Sequence, residues 1–394
     1  MKLRLPARFL RLHLACFVSS FGREARRTAP LRPHRLLFLL VLFPLGVALQ
    51  LVHWLGFLAD DLFFRGWRKA VPRGPVFITG LPRSGTTFVH RLVAEDREQF
   101  STFASWEVVL APSVTEKRIL RALARLDERV GGPLRKGVRA LVRRLSGEFG
   151  EIHEVGPEAP EEDYLCLLPV GGCFLLSLAF PHRNEFPRLA DMPSLPEGLR
   201  RDLVGYYRRC LQAHQFVRGR GRRILSKNAA FASWVPELRR EFPDAAFLLC
   251  IRDPRSGLSS QLSSIAPARR VFGADPQGEA AAALFPRVFT DGYRILADEV
   301  AEEAVSAPRK GALLDQADLR ADPEGCLRAA LERLGIAPGK GLERALSAEG
   351  QRESPHRSGH RHRVEDFAVD LDAFLAAAQP AYEQLHAKRV RAKP

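Results

Sequence analysis

Short runs of apolar, often β-branched residues recur along the chain and stop at glycine-bearing or charged turns. They are PVFIT at Pro75–Thr79, RILS at Arg223–Ser226, AFLLCI at Ala246–Ile251, and GALL from Gly311. A strand buried on both faces reads this way, without polar alternation, so the four runs predict a central parallel sheet. Between them the spacing turns helical, as in FVHRLVAED after Thr87. The alternation predicts an α/β, doubly wound fold with helices on both sheet faces. From Thr115 to Arg144, Arg alternates with Leu, Ala and Val across a Gly131-Gly132-Pro133 break, which predicts two basic amphipathic helices. Such helices suit a solvated surface, acidic headgroups or a cap over an acceptor.

Ahead of the first strand the pattern changes. Leu36 to Ala59 holds 24 consecutive residues without Asp, Glu, Lys or Arg, enough at ~1.5 Å per residue to cross a ~30 Å hydrocarbon core. Pro44, Gly46, Gln50 and His53 interrupt the run, with Arg32 and Arg35 before it and Arg65, Arg68 and Lys69 after it. Basic residues at both ends favour a helical segment that re-enters or lies on one leaflet, at the cytoplasmic face, over a spanning helix. A helix pair packed on the catalytic body is the alternative. Arg8, Arg11 and His13 break the first stretch and argue against a cleavable signal peptide. The expected organisation is a membrane-associating segment at 1–70 and a catalytic domain at 71–386, with a basic helical insertion at 113–150 and a basic flap at 354–367.

Composition narrows the function classes. The 394 residues are 46% apolar and 27% charged, which excludes a wholly disordered or collagen-like chain. Six sparse cysteines without a C-x-x-C pair point away from a disulfide scaffold or zinc module and towards a reducing compartment. The net charge is +15, yet only nine of the 60 basic residues are Lys. Arg suits planar anionic groups, so an anionic ligand or surface is implied. No nucleic-acid recognition module accompanies the charge, and few aromatics interleave it, so no nucleic-acid partner is expected.

The chemistry gathers around Gly80–Thr87, GLPRSGTT, set between the first strand and a helix. That arrangement turns backbone N–H groups and a helix N-terminus towards an anion. The G-x-x-x-x-G spacing is that of a nucleoside-triphosphate loop, but Thr86 and Thr87 stand where such a loop needs Lys and then Ser or Thr. Arg83 supplies the cation from within the loop. P-R-S-G-T-T after an apolar strand resembles the 5′-phosphosulfate loop of sulfotransferases that use 3′-phosphoadenosine 5′-phosphosulfate (PAPS), in the branch of bacterial sulfotransferases and tyrosylprotein sulfotransferase. The stretch RDPRSGLSS after Ile251 strengthens the resemblance, because Arg252 and Ser260 stand at the spacing of the family's 3′-phosphate ligands. Gly311–Gly335 further resembles its strand, D-L-x-x-D-P turn and helix.

The resemblance implies a P-loop-like sheet, PAPS as co-substrate with no metal required, and Arg83, Ser84, Gly85, Thr86, Thr87, Arg252 and Ser260 as its ligands. It also implies that Glu107, just beyond the first helix, is the base on the acceptor, and that Lys227 at a strand end contacts the leaving oxygen. His153, in the run EIHEVGPEAPEEDYLCL with Glu161 and Glu162, is the second candidate base. His356, His360 and His362 alternate with Arg357, Arg361 and Arg363, which would repel a divalent cation, so this segment reads as a flap over phosphates. The expected activity is sulfuryl transfer to a hydroxyl or amine on a small-molecule, lipid or carbohydrate acceptor, at a membrane surface. A P-loop kinase and a non-catalytic membrane-surface protein are the rival readings.

Overall fold

Five strands form one sheet: β1 Val76–Gly80, β2 Phe100–Ser101, β3 Arg223–Asn228, β4 Ala246–Ile251 and β5 Gly311–Asp315. Their order is β2-β3-β1-β4-β5, and every neighbouring pair is parallel. Four of the five are the apolar runs read from the sequence; β2 is too short to leave a pattern. The structure is a computed structural model that describes residues 4–137, 140, 161–219, 221–229, 231–303, 311–351 and 367–392.

Alternate strand residues enter two separate cores. Phe77, Phe247, Leu249 and Leu313 face one, and Val76, Ile78, Leu248, Cys250 and Leu314 face the other. Burial on both faces is the physical reason that the strands show no polar alternation. In chain order the helices used below are α1 Arg4–Ser19, α2 Phe43–Phe63, α3 Thr86–Val93, α4 Ser105–Val109, α5 Val114–Arg129, α6 Glu197–His214, α7 Pro254–Ser264, α8 Glu279–Glu303, α9 Pro323–Leu334 and α10 Leu371–Ala387. α3 and α9 close one face through Val89, Val93, Leu327 and Leu331, while α6 and α8 close the other through Tyr207, Leu211, Phe285 and Phe289. The expected turn after β5 is a short helix, Gln316–Ala321, before Asp322 caps α9.

The N-terminal residues share the core that holds Phe77 and Leu249. Leu5, Phe9, Phe38, Leu39, Trp54, Phe57 and Trp67 pack into the same apolar cluster as α6 and α8. Arg35, fully buried, fixes the segment: its Nη1 donates to the Ala179 carbonyl at 2.7 Å and the Phe272 carbonyl at 3.0 Å. Its guanidinium also lies 5.3 and 5.6 Å from the Phe38 and Phe180 ring centres. Burial pulls this group down to about 10, so the two carbonyls and two rings replace water around it.

Topology fixes where a ligand would lie. The chain lays β2 and β3 on one side of β1, then crosses to place β4 and β5 on the other, so the order reverses at β1. In parallel α/β sheets the crevice beyond the carboxyl ends of such strands receives ligands. At this point Gly80 (φ 146°) lies so close to β4 that a Cβ there would overlap the Cys250 carbonyl oxygen, while Leu81 N–H donates to that same oxygen at 3.1 Å. Gly80→Ala is therefore expected to lower unfolding free energy by about 3 kcal/mol or more, read by urea denaturation. A loss within about 0.5 kcal/mol would show that the loop does not need this approach.

Candidate active site

The loop after β1 is shaped by residues whose backbone leaves the ordinary regions. Arg83 has φ 64° and Gly85 φ 92°, which curls consecutive N–H groups inward ahead of α3. A non-glycine residue at such a φ costs about 1 kcal/mol or more and persists where surroundings hold it. Ser84 is buried and donates to the Leu81 carbonyl at 2.6 Å, bracing the curl from inside. Thr86 and Thr87 begin α3, whose positive end thus closes the cradle.

The second predicted stretch folds against the first. Asp253 caps α7 by accepting from Ser256 N–H at 2.9 Å, and Pro254 starts the helix, so Ser256 and Ser260 fall one turn apart. Arg83 Nε donates to Ser260 Oγ at 3.1 Å, and Arg252 Nη1 donates to the Arg83 carbonyl at 3.0 Å. Arg252 also reaches Ser256 Oγ at 3.3 Å. Burial and then the like charges of Arg320 and Arg83 hold the Arg252 guanidinium below its usual range. Two like charges acting on the Arg252 guanidinium are a concentration of positive charge that an anion would relieve. Tyr293 on α8 steadies the cluster by donating to the Arg252 carbonyl. Behind it, Asp315 at the end of β5 accepts from Tyr382 at 3.0 Å, lies 3.0 Å from His386 Nδ1, and ties α10 to the sheet.

Lys227 sits at the carboxyl end of β3, in register with Ile78 of β1, and is only 3% exposed. Its Nζ is 2.8 Å from Glu162 Oε1, and the Glu162 charge also acts on Arg83. The adjacent Asp163 is buried and accepts from Tyr207 at 2.8 Å; Tyr207 in turn is 3.0 Å from Ser226. Burial pushes the Asp163 carboxyl up to about 7. This network holds the 161–163 segment on β3 and keeps Glu162 over Lys227. In the sequence Glu161, Glu162 and Asp163 read only as an acidic run; what could have marked them is their place beside one of very few lysines.

Glu107 lies elsewhere. It caps α4 by accepting from Ala104 N–H at 3.1 Å, and it accepts from Arg218 Nη1 at 3.0 Å, with Arg121 at 3.7 Å and His214 at 3.5 Å. Burial raises its carboxyl, but Lys117, Arg218 and the Ala104 N–H outweigh that and hold it below 4.5. Burial also drives His214 to about 3, so at neutral pH the cations and not an imidazolium carry the charge balance. None of these neighbours belongs to the phosphate loop or to the Arg252 motif. A carboxylate so occupied is a poor proton acceptor. His153 and residues 354–366 of the basic flap lie outside the described residues.

The family model described as the sulfotransferase family matches residues 75–338. Sulfotransferase STF1 from Mycobacterium tuberculosis H37Rv superposes with TM-score 0.68 and 17% identity, covering 94% of this chain and 92% of that one. Sulfotransferase STF9 from Mycobacterium avium gives TM-score 0.63 and 15% identity, covering 83% of this chain and 80% of its own. At these identities the likeness is one of fold. No curated protein matches the sequence. Because the family match begins at the strand before the loop and extends through α9, taking in both arginine motifs and Lys227, the chain belongs to the sulfotransferase family.

Proposed function

We propose that the chain transfers a sulfuryl group from PAPS to a hydroxyl or amine of an amphiphilic or carbohydrate acceptor, at the cytoplasmic face of a membrane. The observation that carries this is the joining of the two arginine motifs, Arg83 to Ser260 and Arg252 to Arg83. One end of a nucleotide phosphorylated at both its 3′ and 5′ positions fits the loop of Arg83, Ser84, Gly85, Thr86 and Thr87. The other fits Arg252 and Ser260, with Arg320 adding charge nearby. The crevice is cationic where the phosphates would lie, and the Glu162 carboxylate is set against Lys227.

In the proposed reaction the acceptor oxygen or nitrogen bonds to sulfur as the bond from sulfur to the 5′-phosphate oxygen breaks. Lys227 moves from Glu162 to the leaving oxygen and offsets its growing charge. The freed Glu162 carboxylate takes the acceptor's proton, and the products are the sulfated acceptor and adenosine 3′,5′-bisphosphate. Glu107 serves instead to pin α4 to Arg121 of α5 and to Arg218, just beyond α6.

Arg83→Ala or Lys227→Ala should lower turnover of sulfur-35-labelled donor by about two to three orders of magnitude while melting near the wild-type temperature. Wild-type rates in either variant would remove that assignment. Glu162→Gln should lower kcat by about a hundredfold or more and abolish the acid limb of the pH–rate profile, with adenosine 3′,5′-bisphosphate binding retained. An unchanged acid limb would return the base to another residue.

Glu107→Gln should act on stability, costing about 3 kcal/mol by leaving buried cations without a counter-charge. Since the folded carboxyl titrates below 4.5, its contribution is present above pH 4.5 and is lost as pH falls through the folded value. The variant should therefore show a flatter acid limb in its stability profile, with kcat per folded molecule within about threefold of wild type. A kcat loss without a stability loss would make Glu107 catalytic after all.

A further inference from the structure

The helix α2 is built inside out. The residues it turns towards the protein include Gln50, His53 and Asp60, all at most 1% exposed, while Leu45, Leu51, Leu55, Leu58, Leu62 and Phe63 stand 41 to 75% exposed. Its polar groups dock on the start of α5: Asp60 accepts from Val114 N–H at 2.8 Å and Thr115 N–H at 2.7 Å, and His53 Nδ1 is 2.6 Å from Glu116 Oε1. Gly56 makes this approach feasible, since a Cβ there would meet Ser113 Oγ at 2.5 Å.

Helix α5 repeats the inversion. Glu116, Lys117 and Asp127 point inward, and Ile119, Leu123, Leu126 and Val130 point outward. These four positions recur at helical spacing and form one apolar ridge. Arg118, Arg125 and Arg129 are exposed, and each precedes a ridge residue, so the guanidiniums line one edge of the ridge. α2 and α5 pack on each other, and the two outward faces together exceed what an ordinary soluble surface leaves bare.

We infer that α2 and α5 form one composite docking face that lies in the outer layer of an anionic lipid leaflet, with the chain resting on the membrane and not crossing it. The inference deepens the membrane part of the proposed function and rests on that part alone. A crossing helix would have to pull His53 and Asp60 off their partners on α5 and carry the buried Gln50 into lipid, and a core helix would have its leucines inside. Chemistry selects the occupant: leucines for the acyl boundary, and arginines at the ridge edge for acidic headgroups. Val109 and Leu110, 45 and 47% exposed, continue the apolar surface from α5 back to α4. From there Ser105 Oγ reaches Glu161, the residue beside Glu162, so the face adjoins the proposed site of transfer.

The test uses the full-length protein and sedimentation with vesicles, in the absence of donor and acceptor. Wild type should bind vesicles of phosphatidylcholine with a quarter phosphatidylglycerol at least about tenfold more tightly than phosphatidylcholine alone. The pair Leu55→Glu and Leu58→Glu, and separately the pair Leu123→Glu and Leu126→Glu, should each weaken binding by about tenfold or more. Both pairs lie on exposed positions, so melting temperatures should stay near wild type. Loss with the first pair alone would reduce the face to a single anchor and overturn the inference. Absence of vesicle binding, with dimers that these substitutions dissociate in analytical ultracentrifugation, would assign the face to a second copy of the chain. Vesicle binding is read without any sulfuryl chemistry, so its failure leaves the transfer reaction standing, and an inactive enzyme leaves the docking face standing.

Discussion

One guanidinium joins two distant parts of the chain. Arg83 leaves a loop curled by its own positive φ and ends on a hydroxyl of α7, while Arg252 returns the contact by donating to the Arg83 carbonyl. The two arginine motifs, far apart in the chain, thereby share one hydrogen-bonded corner at the carboxyl ends of β1 and β4. The rest of the structure serves that contact. The close approach of β1 and β4 at Gly80 sets the two loops side by side, and Tyr293 and the cap at Asp253 fix the directions in which they leave the sheet.

The fold and the two arginine motifs were legible because they are local. Strands buried on both faces announce themselves as unbroken apolar runs, and the loop and its partner motif are fixed by spacing within single turns. β2 left no mark because two residues carry no period. The surroundings of Glu107 were not legible, for a different reason. A glutamate after Trp106 looks the same in sequence whether it faces a cleft or caps a helix among Lys117, Arg121 and Arg218, and only the tertiary structure separates the two. Likewise Glu162 is one of several acidic residues in a row until β3 brings Lys227 to its side.

The apolar run at 36–59 shows the same divide between composition and placement. Its hydropathy is that of a spanning segment, and its helix from Pro33 to Phe63 is long enough to be one. What the sequence treated as flaws in the run, Gln50 and His53, both face the body, where His53 and the nearby Asp60 bind α5. Polar residues here mark the inner face of the helix. Which way each helix turns its few charges, and not how apolar it is on average, decides the role of α2 and α5.

Arg35 gives the N-terminal region a standing that its sequence does not suggest. A basic leader and a greasy helix look like a detachable tether in front of an enzyme. With a guanidinium bolted to carbonyls from two separate parts of the body, and Phe9, Trp54 and Trp67 wedged among its aromatic side chains, the region is one wall of the catalytic unit. Trimming the protein at Val71 to gain solubility would open that wall, and the shortened enzyme would exchange one sticky surface for another.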